Sequence, residues 1–417
     1  MLLALQRGSK GNQWYSLIDK VYGEKTLQLA WEKVNANAGA CGVDGITTEH
    51  FGKDSQKRLL AVREHLKEGS YKPQAVKRVW IPKAGSPEKR PLGIPTVRDR
   101  VVQTALKMVI EPIFEHEFAE HSYGFRPGRN CHDALRRVDA LLKDGQVHVV
   151  DIDIKGYFDT IPRDKLMEVV SRRIADGRVL RLIEAFLRAE IEEDGARTAA
   201  KAGTPQGGVI SPLLANAYLN PLDWELEKNG YEMVRYADDL VILCRDAPSS
   251  QEALHRVRQW MEGAGLALHP QKTRLVDMSQ NEAWFDFLGY RFYRTRKGKL
   301  RRLVRDKSLK KLRERLKPMT RRNCGKSLAE VVSMINPILE GWYGYFKQAY
   351  GKVLDSVDKW VRGRLRSILR KRCKRRGRGR GKDHQRWSNC YFERLGLFCL
   401  VQAKETELNS LRDGVKC

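Results

Sequence analysis

Asp238 and Asp239 stand side by side after Tyr236-Ala237, between the apolar runs Met233-Val234 and Leu240-Val241-Ile242-Leu243. The flanks predict two β-strands, and Ala-Asp-Asp predicts the tight turn that joins them. Adjacent carboxylates on a hairpin tip repel one another, so a partner of opposite charge is expected. Mg²⁺ fits that place, because it takes oxygen ligands from one or two carboxylates and completes its shell with substrate phosphates. A bare Asp-Asp pair is more often a solvated turn. Here three further motifs weigh against that reading.

The first is Asp151-Ile152-Asp153-Ile154-Lys155-Gly156-Tyr157-Phe158-Asp159, after Val147-His148-Val149-Val150. It places acids at the end of a mostly apolar strand. A carboxylate from this strand, facing those of the hairpin, could hold two cations about 3.5–4 Å apart. One would lower the pKa of an attacking 3′-hydroxyl, and the other would stabilise a departing pyrophosphate. Strand alternation puts Asp151 and Asp153 on one face and does not choose between them. Asp159 reads as a cap or loop acceptor, and His148 as a structural histidine.

The second motif is Gly203-Thr204-Pro205-Gln206-Gly207-Gly208-Val209-Ile210-Ser211-Pro212, running into Leu213-Leu214-Ala215. It predicts a glycine-rich turn opening a helix. Glycines admit close approach of a nucleotide, and a helix N-terminus favours phosphate. The third is His269-Pro270-Gln271-Lys272-Thr273, followed by Phe285-Asp286-Phe287-Leu288-Gly289-Tyr290. Lys272 could protonate a leaving pyrophosphate, although a lone lysine is more often surface charge. The Phe-Leu-Gly-Tyr segment predicts a short strand whose glycine lets a primer backbone approach.

In this order, the motifs resemble the reverse transcriptases encoded by bacterial group II introns, over about Leu29 to about Phe398. The most specific parts are Tyr236-Ala237-Asp238-Asp239, Pro205-Gln206-Gly207-Gly208, Tyr123-Gly124-Phe125-Arg126-Pro127-Gly128-Arg129 and Gly341-Trp342-Tyr343-Gly344-Tyr345-Phe346. Several motifs in one order are much stronger evidence than any one of them. The resemblance implies an α+β right-hand polymerase with fingers, a palm with an antiparallel sheet, and a helical thumb or X domain. It divides the chain into an N-terminal extension (1–60), fingers (61–140), palm (141–302), thumb (303–371) and a basic C-terminal DNA-binding segment (372–417).

By the same resemblance, Asp153, Asp238 and Asp239, with the backbone of Ile154, bind two Mg²⁺ ions, with Mn²⁺ as a substitute. Lys272 joins the catalytic set. Phe158 falls where a bulky residue lies under the incoming sugar and excludes a 2′-hydroxyl, although it could be an ordinary core aromatic. Pro205, Gln206 and Gly207 bind the nucleotide. Ile81-Pro82-Lys83 and Lys89-Arg90-Pro91-Leu92-Gly93-Ile94-Pro95 resemble fingers strands, with Lys83 and Arg90 directed at the β- and γ-phosphates and a turn at Ala84-Gly85-Ser86-Pro87. Asn35 to Gly45 resembles the family's template-clamping extension. Arg98, Arg100, Arg126 and Arg129 become template contacts, or else salt bridges of the fold.

The 417 residues carry a net charge of +27 and are 41% hydrophobic. That composition predicts a folded chain with a polyanionic partner whose binding weakens with salt. The length predicts two to four domains. No apolar stretch approaches the roughly 20 residues that span a bilayer, and Met1-Leu2-Leu3-Ala4-Leu5 is too short for a secretory leader core. A cytoplasmic, nucleoid-associated bacterial protein with no membrane partner is therefore expected. The eight cysteines form no Cys-x-x-Cys pair, which argues for free thiols and against structural zinc. Many relatives end in a nuclease of the His-Asn-His type with cysteine pairs. This sequence lacks that spacing, so an endonuclease-lacking type is expected.

Beyond the palm, Leu303 to Leu316 predicts a basic helix. Leu328, Val331, Val332, Ile335, Leu339, Trp342 and Phe346 predict an amphipathic helix, which Pro337 should kink or divide. A further helix has Val357, Val361, Leu365 and Ile368 inward and Arg362, Arg364, Arg366 and Arg370 mostly outward. Residues 361–382 hold 12 Lys or Arg among 22 and no acid, which makes Arg362 and Arg366 expected nucleic-acid contacts. The implied partners are an RNA template, a DNA or RNA primer, deoxynucleoside triphosphates, a group II intron RNA and target DNA. Two rival readings share the motifs: a domesticated reverse transcriptase in DNA repair or phage defence, and an RNA-binding splicing factor without a polymerase role.

Overall fold

A computed structural model describes residues 12–82, 89–199, 203–204, 206–375, 377 and 379–413. The chain divides into two compact units, Met1–Asp277 and Met278–Cys417.

The first unit contains strands β1 (Val76–Pro82), β2 (Lys89–Ile94), β3 (His148–Asp153), β4 (Ile191–Glu193), β5 (Ala196–Thr198), β6 (Glu232–Tyr236), β7 (Asp239–Cys244) and β8 (Arg274–Asp277). One sheet has the order β6-β7-β3-β8 and is antiparallel throughout. It answers to the antiparallel palm sheet that the resemblance implies. Its central strands alternate poorly in polarity because both are covered. Val149, Val150 and Ile152 of β3 and Leu240 to Cys244 of β7 are buried, as expected for strands with both faces packed. The helices Ser211–Lys228 and Ala247–Gly263 pack against this sheet.

A second sheet has the order β2-β1-β4-β5, with β1 and β2 forming an antiparallel hairpin and β4 parallel to β1. After β2 comes the helix Val97–Glu115, capped by the Thr96 hydroxyl, which accepts from the Asp99 N–H. Its Val97, Val101, Val102, Ala105, Leu106, Val109 and Ile110 are wholly buried. They join one apolar core with Trp31, Phe51, Leu213 and Leu240. Asp176 pins the segment at Leu17 and Ile18 to this core. One of its carboxylate oxygens accepts from the Leu17 and Ile18 N–H groups at 2.7 and 2.9 Å. The other caps the helix Gly177–Leu187 through Arg178 and Val179.

The second unit opens with β9 (Trp284–Phe287), β10 (Tyr290–Arg294) and β11 (Leu300–Val304), paired in the order β11-β10-β9. The expected boundaries count these strands with the palm, but they pair among themselves and fall in this unit. Phe-Leu-Gly-Tyr is not a single strand. Leu288 and Gly289 both have positive φ, 48° and 77°, and form the turn between β9 and β10. The stretch from Leu303 is also not wholly helical. Leu303 pairs with Arg291 across β10, and the helix begins at Asp306. The helix Leu328–Phe346 passes through Pro337 undivided. Proline removes one backbone hydrogen bond, and buried Ile335, Ile338 and Leu339 on either side hold the register.

The helix Gly351–Arg372 buries Leu354, Val357, Val361, Leu365 and Ile368. Asp358 on the same helix accepts from the Leu400 and Val401 N–H groups at 3.1 Å each, capping the helix Leu400–Asp413. Contrary to the expected outward placement, Arg362 and Arg366 are buried. Arg366 donates to the Trp387 carbonyl at 2.8 Å and to Asn389 Oδ1 at 3.0 Å, so its charge ties down the following segment. Asp383 does the same from the other side, accepting from Arg370 and from the Arg380 N–H.

Candidate active site

β3 and β7 are neighbours, and their register pairs Asp153 with Asp239. β6 and β7 pair Tyr236 with Asp239, which leaves Ala237 and Asp238 as a two-residue turn. Ala237 has φ of 59°, a conformation that costs a non-glycine residue energy. Three carboxylates thus gather at one end of the sheet. The register also separates the two acids that alternation could not. Asp151 lies opposite Val241 and is held by Arg274 at 3.1 Å. Asp153 ends the strand and opens into the cleft.

The turn is gripped from below. Arg235 is wholly buried and makes a bidentate ion pair with equally buried Asp223. Its Nη1 donates to the Ala237 carbonyl and to Asn216 Oδ1, both at 2.9 Å. Asn216 Nδ2 in turn donates to the Gly124 carbonyl at 2.6 Å. Gly124 lies flat against the turn, and a Cβ there would stand 2.2 Å from the Ala237 nitrogen. Burial disfavours the Arg235 charge, but Asp223 outweighs it and holds the guanidinium above its ordinary pKa. Burial likewise raises the Asp238 carboxyl above the usual range, and neighbouring Asp153 adds to this.

A cleft of about 830 Å³ opens over the aspartates. It is lined by Arg90, Phe125, Asp153, Ile154, Phe158, Asp159, Gln206, Gly207, Asp238, Asp239 and Lys272, among others. The structure therefore brings together most of the sequence-predicted site. Lys272 Nζ lies 3.3 Å from Asp153 Oδ1. Phe158 packs edge-on to buried Tyr157, with ring centroids 5.6 Å apart. Asp159 accepts from Gln206 Nε2 at 3.1 Å, so it is a loop acceptor as the sequence suggested, and burial raises its pKa. The glycine-rich turn reaches across to β2, where the Gly93 N–H donates to the Gln206 carbonyl at 2.5 Å. Gly207 has φ of 106°, and a Cβ there would stand 2.1 Å from the Gly93 carbonyl oxygen. No other residue type fits that approach. Lys83, Pro205 and the tip at Ala84 to Pro87 lie outside the described residues.

The template arginines lie outside this lining and have partners within the fold. Arg126 is buried, pairs with Glu115 at 2.7 Å, and donates to the Ala119 and Ser122 carbonyls. Arg100 donates to the Ala40 carbonyl at 2.7 Å, Arg98 to that of Lys72 at 2.9 Å, and Arg129 to that of Glu120. Arg126 and Arg98, the latter 3.8 Å from Asp99, make ion pairs within the fold, and Arg98, Arg100 and Arg129 also anchor loop carbonyls. Sequence reasoning passed over Arg235, Asp223 and Phe125. Arg235 sits one residue before the motif, but nothing in the sequence signals that its charge is buried.

The donor set suits a hard divalent cation, since Asp153, Asp238 and Asp239 offer only carboxylate oxygen. Among the described residues no group of three or more His, Cys, Asp or Glu side chains is gathered closely enough to hold a metal ion by itself. Among the described residues no helix is long and apolar enough to cross a membrane.

The family model for reverse transcriptase (RNA-dependent DNA polymerase) matches residues 81–292. That for the group II intron, maturase-specific domain matches residues 309–387. Protein YkfC of Escherichia coli (strain K12) is 36% identical over 294 residues, covering 61% of this chain and 76% of that protein. The group II intron-encoded protein LtrA of Lactococcus lactis subsp. cremoris is 39% identical over 229 residues, covering 52% of this chain and 37% of that one. Among solved structures, telomerase from Candida albicans aligns over 77% of this chain and 64% of its own, with 13% identity and a TM-score of 0.44. A partial Cas6-RT-Cas1–Cas2 complex aligns over 60% and 41%, with 21% identity and a TM-score of 0.36.

Proposed function

The chain belongs to the reverse transcriptase family, and we propose that it extends a primer on an RNA template with deoxynucleoside triphosphates and acts as a maturase on a group II intron RNA. The observation that carries the polymerase reading is the cross-strand pair Asp153–Asp239 with Asp238 in the adjoining turn, at the floor of a cleft.

Reverse transcriptases use divalent metal ions; here Mg²⁺, held by Asp153, Asp238, Asp239 and the Ile154 backbone, would activate the primer 3′-hydroxyl and neutralise the leaving pyrophosphate. The side chains do the rest. Arg90 on β2 offers a bidentate fork to the triphosphate. The turn at Gln206-Gly207, fastened to β2 through Gly93, holds the nucleotide site open beside it. Phe158, propped by Tyr157, fills the space a 2′-hydroxyl would need. Lys272 neutralises Asp153 at 3.3 Å and stands ready to move toward the pyrophosphate as a proton donor.

The test is primer extension on a defined RNA template, comparing wild type with Asp238→Ala. Extension by wild type alone, with equal RNA binding by both proteins, is the expected result. Extension by the variant would remove Asp238 from the metal site. Replacing Mg²⁺ with Mn²⁺ in the same assay examines the choice of metal.

The maturase reading is supported by the domain match at residues 309–387 and by the basic stretch within it. It favours intron RNA as a partner over a domesticated role, the paired aspartates of the cleft argue against a purely splicing one, and target DNA is proposed as a further partner. Splicing of a flanking group II intron, assayed with and without the protein, tests it. An intron that splices equally well in both would reject it.

A further inference from the structure

Phe125 is a bulky aromatic residue at φ of 58°. L-residues rarely occupy this left-handed region, and for a large side chain it is a true outlier. The residue is also 49% exposed and lines the cleft that holds the aspartates. Burial would favour such a ring, and a glycine or asparagine would favour the backbone. Phe125 satisfies neither preference, which directs attention to what it does in the cleft.

Its neighbours explain how the conformation is enforced. The Tyr123 N–H donates to the Arg235 carbonyl at 2.8 Å. Gly124 is pressed onto the Ala237 nitrogen and accepts from Asn216. Arg126 is buried, with its guanidinium shared between Glu115 and the carbonyls of Ala119 and Ser122. The chain is thus clamped on both sides of Phe125, and the ring is thrust into the cleft from a rigid base. A ring so fixed loses little freedom when a ligand packs against it.

We propose that Phe125 is a platform for the primer-terminal nucleotide, packing against its base or sugar and holding the 3′ end over the aspartates. This rests on the polymerase reading, in which the reacting 3′-hydroxyl lies at the Asp238 turn. Gly124 touches that turn, so the residue beside it stands next to the last primer nucleotide. Every base has an apolar face, so the contact tolerates any sequence.

The experiment measures primer–template binding by fluorescence anisotropy, together with thermal unfolding and steady-state extension, for Phe125→Gly, Phe125→Asn and Phe125→Trp. Glycine and asparagine relieve the backbone and remove the ring, so Tm should hold or rise. The primer–template Kd should rise about tenfold, as for loss of one stacked base. The KM for deoxynucleotide at saturating primer–template should stay within about twofold, as should the Kd of Phe125→Trp. Unchanged Kd in the glycine and asparagine variants overturns the proposal. So does a fall in Tm that accounts for the lost binding, which would make the ring a fold residue. A change confined to the deoxynucleotide KM also overturns it, by moving the contact to the incoming nucleotide. Binding is read without synthesis, so failure of the polymerase reading shows separately, as absence of extension by wild type.

Discussion

Arg235 Nη1 donates to the carbonyl oxygen of Ala237 at 2.9 Å, so a wholly buried guanidinium holds the turn that carries Asp238. The same group is paired with Asp223, also wholly buried. Removing one partner of such a pair leaves an uncompensated charge and costs about 3–5 kcal/mol. Arg235→Met should lose that much in urea unfolding. Arg235→Met with Asp223→Leu should recover most of it, since apolar replacement of both partners is often neutral. The double variant should still extend primers poorly, because the Ala237 carbonyl has lost its donor. Wild-type kcat in a stable double variant would show that the turn needs no such support.

Phe158 should set the choice of sugar. Phe158→Ala is expected to raise ribonucleotide incorporation on an RNA template by roughly tenfold or more, with deoxynucleotide use reduced less. A lost steric clash worth 1.4 kcal/mol corresponds to that factor. The measurement is the ratio of kcat/KM for ribo- and deoxynucleotide. A ratio that does not move assigns the ring to packing against Tyr157 alone.

Asp176 predicts a pH dependence of stability. Burial pushes its carboxyl upward, but four backbone N–H groups, from Leu17, Ile18, Val179 and Arg178, outweigh burial and depress its pKa. A carboxylate depressed in the folded state contributes stability above its unfolded value of about 3.9. That contribution is lost as pH falls through the lower folded value. Asp176→Asn has one acceptor oxygen in place of two and should cost about 2 kcal/mol at neutral pH, the upper range for a cap. The gap in Tm between the two proteins should close below about pH 4. A gap independent of pH would mean that shape, not charge, is what Asp176 supplies.

The palm and its aspartates were legible because their signals are local. Apolar runs on either side of Ala237-Asp238 encode a hairpin, and Gly207 marks a closely approached backbone, although what it meets is the Gly93 carbonyl of β2 rather than the nucleotide the sequence suggested. Asp151 against Asp153 was not legible, since both share a face and the choice depends on Arg274, more than a hundred residues away. Arg235 and Arg366 failed for a related reason. An arginine reads as surface charge unless its distant partners are known, and Asp223, Trp387 and Asn389 become partners only on folding. Leu288-Gly289 was misread because a two-residue turn inside an apolar run leaves little trace in composition.

The buried arginines change how the basic C-terminal stretch should be tested. Deleting residues 361–417 would remove Leu365, Ile368, Phe392 and Leu400 from the core of the second unit, so lost binding would only report unfolding. Lys371, Lys374 and Lys382 are exposed, and their charges face solvent or a polyanion. Each phosphate contact contributes about 0.7 to the slope of log K against log salt for single strands. Replacing all three lysines by Gln should therefore flatten the slope for intron RNA by roughly 2, with Tm unchanged. Arg366→Ala should do the opposite, lowering Tm through its lost bonds to Trp387 and Asn389 while leaving the slope of the folded protein as it was. If the triple variant keeps the wild-type slope, the three lysines are solvated charge and the RNA contact lies elsewhere on the chain.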